Sequence, residues 1–465
     1  MSTSKAVLAR DTDLLHGPLL GKIFSFVLPL MITNLIQNLY NAADMVIVGM
    51  SSVDGAIGAI GTTAAMVNCI LNLFMGFAVG ASVMVARAIG ERNREKTSQS
   101  VHTSLVIGMI SGIAALALGL SVSRPILIML GDQGHILELA HLYTKIYFIG
   151  VPFIAVTNFL ISIFRAKGDT RTPLVILTIT GLLNVLLNLL FVVVFKMSVD
   201  GVALATTISN LASMVALALV LHKDQGWCRL EFRKLRIEKY SLKGILYNGF
   251  PAVIQGVLFS LSNMIIQSSI IGINNRQFPG GSDIIDGNAA GQSIESFAYV
   301  ATNSVCQAAV TFTSQHYGAR KFNRMGKVIR DCYLASFMIA EIMSLSILFL
   351  RFPLARIYLD SPAAIEACSI RLLHTLTAYF TLASMDTGSG IVRGLNRSIM
   401  STVVSLMGSC VLRIVWIATV ARAYPTLNMV YISYPISWGI TGLCHFIVAM
   451  VVKKKMLSQH PVDED

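Results

Sequence analysis

Between Pro29 and Gly49 an apolar run of Leu, Ile, Met and Val is interrupted every three or four residues by Asn34, Gln37, Asn38, Asn41 and Asp44. On an α-helix that spacing gathers the polar groups onto one face. The other faces are apolar and long enough to cross a bilayer, so the acid sits on a wet stripe turned away from lipid. A carboxylate held this way is suited to taking up and releasing a proton or a cation, and the pattern points to transport. Asn184 and Asn188 stand four residues apart with their amides facing the same way, and Thr206 offers a hydroxyl from the next apolar stretch. One carboxylate with neutral oxygens suits a hard monovalent cation or a proton.

A second stripe carries Asn288, Gln292, Glu295, Tyr299, Asn303 and Gln307 at the same helical spacing, so Glu295 also faces a polar interior. Asp386 and Arg413 complete the charges expected inside apolar spans. An ion pair of Arg413 with Glu295 or with Asp386 would offset the cost of desolvating either partner. The spacing leaves open whether these groups couple transport, touch a substrate or only hold helices together.

Enzymatic chemistry finds no support. The nine histidines are dispersed without ligand or catalytic spacing, and His445 reads as a packed core residue. The seven cysteines stand singly, which implies neither a disulfide framework nor a metal knuckle. No catalytic residue or cofactor is expected. No G-x-x-x-x-G-K-[ST] loop occurs, and no soluble segment is long enough to hold one, so ATP hydrolysis within this chain is not expected and an ion gradient would have to supply the energy.

The elements that position these groups follow from composition. Of 465 residues 54% are hydrophobic and only 13% charged, with a positive mean hydropathy, which places the chain in a membrane. Twelve stretches of spanning length are expected, near 22–50, 56–86, 98–121, 138–163, 172–196, 199–222, 242–272, 287–315, 328–350, 366–391, 398–421 and 427–452. The first residues carry Arg10, Asp11, Asp13 and His16 without a cleavage site, so no removable signal peptide is expected. Placing both termini and every second loop on one side gathers most of the 36 basic residues there, including Lys5, Arg10, Arg87 to Lys96, Lys223 to Lys243 and Lys453 to Lys455. That bias predicts cytoplasmic termini in a multi-pass protein of the cell membrane. The net charge of +12 is therefore topology and not a nucleic-acid surface, because each basic cluster adjoins a span. Asn274 to Gly287, rich in Gly, Pro and Asp, reads as a polar outer loop.

The two halves repeat. Pro29 corresponds to Pro251, the Gly90 turn to the Gly318 turn, and Arg165 to Arg393, the last two pairs sharing one sequence offset. The organisation expected is an amino-terminal segment 1–21, a first lobe 22–222, a basic linker 223–241, a second lobe 242–452 and a tail 453–465. A parallel six-helix repeat is a secondary-transporter design with a central cavity exposed alternately to either side.

Pro29 with Gln37, Tyr40, Asp44 and Gly49, the Gly90 loop, Arg165 to Pro173, Asn184 with Asn188, and Gly201 to Thr206 together resemble the multidrug and toxic compound extrusion (MATE) transporters of the multidrug/oligosaccharidyl-lipid/polysaccharide flippase superfamily. Ser262-Asn263, Ile294 to Phe297 and Leu412-Arg413-Ile414 look closer to the DinF and MepA branch than to the NorM branch. The resemblance implies an all-α protein of twelve transmembrane helices in two pseudo-symmetric bundles, exporting small organic cations in exchange for H⁺ or Na⁺ as a monomer. A lipid-linked oligosaccharide flippase, built on the same fold, is the alternative; it usually holds several basic residues in its cavity, whereas Arg413 is the one expected here. The family's cation site maps onto Asp44, Asn184, Asn188 and Thr206, where Na⁺ is a candidate ligand. Gln37, Tyr40, Asn41, Gln292, Glu295, Tyr299 and Arg413 are expected in the substrate cavity or in lobe coupling, with Phe153, Phe159 and Phe297 as further aromatic lining. Some members carry an acid where Asn188 stands, and Phe259 and Ser260 occupy the neighbourhood of a carboxylate found in NorM-type members. Asp44 is thus the sole acid expected in its site.

Overall fold

The computed structural model describes residues 14–50, 53, 56–129, 134–279 and 281–459. Lys5, Arg10 and the end of the tail lie outside them. Among the described residues every regular element is helical. A hydrocarbon solvent imposes this, because a helix satisfies its backbone N–H and C=O groups within its own segment.

Contacts divide the chain into two compact units. One contains Leu28–Val253; the other contains Leu15–Val27 and the chain from Ile254 onward. The first is built from α1 (Leu19–Gly49), α2 (Ala56–Gly90), α3 (Arg94–Met129), α4 (Gly134–Ala166), α5 (Arg171–Asn188) and α6 (Val199–Lys223). Beyond Asn188, α5 runs on through wider π-turns over Leu189–Val194. The divisions fall inside α1 and inside α7 (Lys239–Gln277), each close to a proline within the helix, Pro29 and Pro251. Proline has no N–H for the helical ladder. Near the first of them the Thr33 hydroxyl donates to the Pro29 carbonyl at 2.7 Å.

The basic segment 223–241 folds onto α3. The N–H of Glu231 donates to His102 Nε2 at 3.0 Å, the N–H of Glu238 to the Thr103 hydroxyl at 3.0 Å, and the N–H of Leu230 to the Leu221 carbonyl at 3.0 Å. One apolar cluster centres on Val101, Phe159, Ile163 and Ile245, and a second on Val48, Ile60, Phe148 and Val151. Where α3 meets α4, a Cβ at Gly119 would collide with the Phe148 ring. Small residues permit such close approach between membrane helices, where dispersion rather than water expulsion drives packing.

The second unit contains the rest of α7, then α8 (Asp283–Gly318), α9 (Phe322–Phe349), α10 (Arg351–Tyr358), α11 (Pro362–Leu376), α12 (Tyr379–Gly394) and α13 (Ser398–Ser405). The chain continues through π-turns at Leu406–Val411, α14 (Leu412–Trp416), further π-turns at Ile417–Ala421, α15 (Leu427–Tyr431) and α16 (Ser433–Gln459). Its core gathers Ile270, Ile294, Leu372, Tyr379, Leu382 and Tyr431. His445 is fully buried and hydrogen-bonds the carbonyls of Thr441 and Ser401, a structural histidine as its sequence context suggested.

Among the described residues, ten helices or helical runs are long and apolar enough to cross a membrane. Two expected spans are of another kind. The eighth is α8, 36 residues long but carrying the polar Glu295 stripe, and the tenth is broken at Thr377-Ala378 into α11 and α12. The expected loop from Asn274 to Gly287 is corrected too, since α7 continues to Gln277 and α8 begins at Asp283. Asn274 closes the turn, donating to the Gly281 carbonyl at 2.7 Å and accepting from the Ile284 N–H at 3.1 Å.

The repeat is written in the backbone. After α2 the N–H groups of Glu91, Arg92 and Asn93 bond the carbonyls of Arg87, Ile89 and Ala88; after α8 those of Ala319, Arg320 and Lys321 bond Gln315, Tyr317 and His316. Arg92 and Arg320 share a positive φ, 53° and 54°. The turn after α4 and the turn after α12 match in the same way, with Gly168 and Asn396 at φ 91° and 60°. Every matched pair keeps the offset that relates Gly90 to Gly318.

Two outcomes are expected. Gly119→Leu should lower the thermal stability of the detergent-solubilised protein by about 2 kcal/mol through overpacking, and pairing it with Phe148→Ala should recover part of the loss. Glu91, between α2 and α3, accepts from Lys96 at 2.8 Å and Arg87 at 3.0 Å. Partial burial draws its carboxyl up, but the hydrogen bonds from Lys96 and Arg87 outweigh this and hold it below its ordinary value. A carboxyl lowered on folding stabilises above its unfolded pKa and loses that contribution as pH falls through the folded value. Melting temperatures across a pH series should show Glu91→Gln below the native protein at neutral pH, with the gap closing below about pH 4.

Candidate functional site

Each unit encloses a cavity, and the two occupy equivalent places in the repeat. The first, about 660 Å³, is lined by Gln37, Tyr40, Asn41 and Asp44 of α1, Asn158 of α4, Asn184 of α5 and Thr206 of α6, with Tyr143 and Tyr147 of α4 beside them. Among the described residues no Lys or Arg lines it. Asp44 is the one acid there. Asn188, fully buried, donates from Nδ2 both to Asp44 Oδ1 and to Asn184 Oδ1, the latter at 3.2 Å, and Asn184 Nδ2 reaches the Thr206 hydroxyl at 3.5 Å. The four polar groups singled out from sequence thus form one hydrogen-bonded chain across α1, α5 and α6. The spacing of Asn184 and Asn188 explains it, because residues four apart share a helix face.

The Oδ1 of Asn188 is buried without a hydrogen-bond partner, an unsatisfied acceptor close to the Asp44 carboxylate. Together with the Asp44 carboxylate and the Thr206 hydroxyl it makes a donor set that fits a hard monovalent ion. Tyr40 is fixed between Gly181, where a Cβ would collide with its ring, and the Thr178 carbonyl, which accepts from its hydroxyl at 3.0 Å. Phe159 does not line this cavity; it is buried in the apolar core, and Phe153 faces a separate apolar pocket with Met109 and Phe232.

The second cavity, about 370 Å³, is lined by Gln292, Glu295 and Tyr299 of α8, Arg371 of α11, Asp386 of α12 and Arg413 of α14, with Phe259, Tyr434 and Trp438. Phe297 packs against the apolar core instead. The expected pairing of Arg413 with Glu295 or Asp386 is replaced by another. Glu295 Oε2 accepts from Arg371 Nη2 at 2.7 Å and Nε at 3.1 Å, and Arg371 Nη1 donates to Asn288 Oδ1 at 2.8 Å. Asn288 also accepts from the Tyr431 hydroxyl at 3.0 Å and donates to Gln267 at 2.8 Å. Arg371 escaped the sequence reading because it stands near the start of a span, where a basic residue reads as part of the adjoining loop. It lies buried on α11, five residues before that helix ends at Leu376. Arg413 donates to the Ser437 hydroxyl at 2.9 Å and lies over the Tyr434 ring at 4.2 Å.

Positions related by the repeat's offset exchange chemistry between the cavities: Val67 and Glu295, Tyr143 and Arg371, Asn158 and Asp386, Thr206 and Tyr434. By the Pro29 to Pro251 correspondence, Asp44 stands where the second unit has Ile266. The duplicated scaffold therefore presents a lone acid in one cavity and mixed charges against aromatic rings in the other.

A family model described as MatE matches residues 29–190 and 251–419. The probable multidrug resistance protein YoeA of Bacillus subtilis is 24% identical over 451 residues, covering 93% of this chain and 94% of that protein. The multidrug export protein MepA of Staphylococcus aureus is 20% identical over 440 residues, covering 95% of each. A solved structure described as the outward-facing conformation of a multidrug resistance MATE family transporter superposes with a TM-score of 0.87 at 21% identity, over 97% of this chain and 99% of that one.

Separating a buried ion pair strands a charge. Arg371→Gln is expected to cost about 3 kcal/mol of stability in detergent, and the double variant with Glu295→Gln less than the sum of the two single changes, read by thermal unfolding.

Proposed function

Because the chain belongs to the MatE family of multidrug and toxic compound extrusion transporters, we propose that it exports small organic cations across the cell membrane in exchange for a proton or Na⁺ taken up at Asp44. The hydrogen-bonded chain from Asp44 through Asn188 and Asn184 to Thr206, on the wall of a cavity lined by no basic side chain among the described residues, carries this reading. The names of its relatives, multidrug resistance and multidrug export proteins, support the substrate class.

An ionised carboxylate is penalised where water is scarce, so Asp44 exchanges its charge with the cavity's contents. When the cavity faces outward, a coupling ion neutralises Asp44, and α1 repacks against α5 and α6 without a bare charge. The bound organic cation then loses its counter-charge and departs. On return the ion leaves inward, and the restored carboxylate attracts the next cation, whose apolar body meets Tyr40 and Tyr143. Each ligand shifts the equilibrium only by its difference in affinity for the two states, and competition for one carboxylate supplies that difference.

The flippase alternative draws on Arg371, a second buried arginine beside Arg413. Its charge is matched by Glu295, so among the described residues lining this cavity Arg413 is the one arginine without an ion pair, which favours small-molecule export.

The deciding experiment is efflux of a cationic dye from proteoliposomes under a pH gradient alone or a Na⁺ gradient alone. Native protein should export dye under one of the two, and Asp44→Asn should reduce gradient-driven export to the protein-free leak. Dye export that persists at the native rate in Asp44→Asn would remove Asp44 from coupling. No dye movement under either gradient would shift the substrate to a lipid-linked precursor.

A further inference from the structure

We propose that the cavity of the second unit binds an aromatic organic carboxylate, with Arg413 taking the anionic group and Trp438 and Phe259 packing on the ring system. Arg413 is only 6% exposed, yet its hydrogen bonds go to a neutral partner, the Ser437 hydroxyl, at 2.9 and 3.3 Å. Among the described residues it forms no ion pair. The glutamate on the same wall is committed to Arg371, whose Nε and Nη2 both converge on Glu295 Oε2. Glu295, Arg371 and Arg413 therefore sum to one positive charge. Asp386 is the other acid of the cavity and makes no ion pair with Arg413; in the last turn of α12, Arg393 donates to Gln255 at 2.7 Å.

A buried guanidinium without a carboxylate is costly in a membrane interior unless stacking or a ligand compensates it. The Tyr434 ring at 4.2 Å supplies part of that compensation and covers one face of the guanidinium. A planar carboxylate matches the donor edge of such a fork bidentately, which an ammonium or a neutral amide cannot do. The cavity's walls suit an aromatic body: Phe259 and Trp438 line it, and Tyr434 packs edge-on to Trp438 at 5.3 Å. The first unit has no counterpart, since Val185 stands at the position equivalent to Arg413 and no basic residue lines that cavity among the described residues. This binding is independent of coupling at Asp44 and of the direction in which a substrate moves.

The test uses the full chain in nanodiscs of phosphatidylcholine, titrated with dansylglycine and with its uncharged analogue dansylglycinamide, reading dansyl emission. Native protein should bind the carboxylate on the order of tenfold more tightly than the amide, and Arg413→Gln should abolish that preference while leaving amide affinity unchanged. Arg413→Lys should keep part of it. Equal affinity of native protein for the two probes, or no binding of dansylglycine, overturns the proposal and needs no variant, so a poorly folding Arg413→Gln does not leave it undecided. Equal weakening of both probes in Arg413→Gln also overturns it, because that is what loss of packing alone produces. Nanodiscs doped with phosphatidylglycerol separate the remaining source of anionic groups: unchanged dansylglycine affinity supports a soluble carboxylate, and competition by the lipid overturns it in favour of a headgroup. Because binding is read without a gradient, its outcome does not depend on whether Asp44 couples export.

Discussion

A hydrocarbon layer offers a charged group no water, so every charge in this protein that lies within it must be answered by another part of the chain or by something that comes and goes. The two units answer differently. In the second, Glu295 and Arg371 satisfy each other at 2.7 Å and are tied by Asn288 to Tyr431 and Gln267 on two further elements. In the first, Asp44 receives one amide hydrogen from Asn188 and no cation from the described protein. A charge closed by its own fold stiffens a lobe. A charge left partly open makes the lobe sensitive to what occupies the cavity, which is the property the proposed exchange at Asp44 requires.

The repeat makes this contrast informative. The turns after α2 and α8, and those after α4 and α12, keep the same hydrogen bonds and a left-handed residue at equivalent positions. The backbone frame has thus been held constant while the cavity walls have exchanged chemistry, Tyr143 for Arg371 and Thr206 for Tyr434. A turn that must place its residue at positive φ tolerates few alternatives. A cavity wall tolerates any side chain whose polar groups are satisfied, so the walls are where two copies of one scaffold part in function.

The irregular backbone lies close to those walls. The π-turns Leu189–Val194 begin immediately after Asn188, and those at Ile417–Ala421 stand at the equivalent place in the second unit. Arg413 sits on a five-residue helix between two π-turned stretches. Wide turns re-aim side chains that a regular helix would carry past the cavity, and they recur at functional positions. The helix that carries Arg371 likewise ends at Leu376, where a continuous span was expected.

Much of the architecture was legible in the chain itself. The length of the apolar runs demanded membrane helices, the spacing of Asn34 to Asp44 put the acid on a polar face, and the spacing of Asn184 and Asn188 put two amides on one side of α5, because helical periodicity is a local property. The Gly90 and Gly318 turns betrayed the repeat, since a turn's sequence and its backbone are read together. Pairing across elements was not legible. Arg371 joins Glu295, and Arg413 turns to Ser437 and Tyr434, through contacts between segments far apart in the chain. Phe159 shares its apolar character with true lining residues, and only packing sent it to the core. Periodicity decides which face a residue occupies; tertiary packing alone decides what that face meets, and for a buried charge the partner it meets determines whether it is locked or free to act.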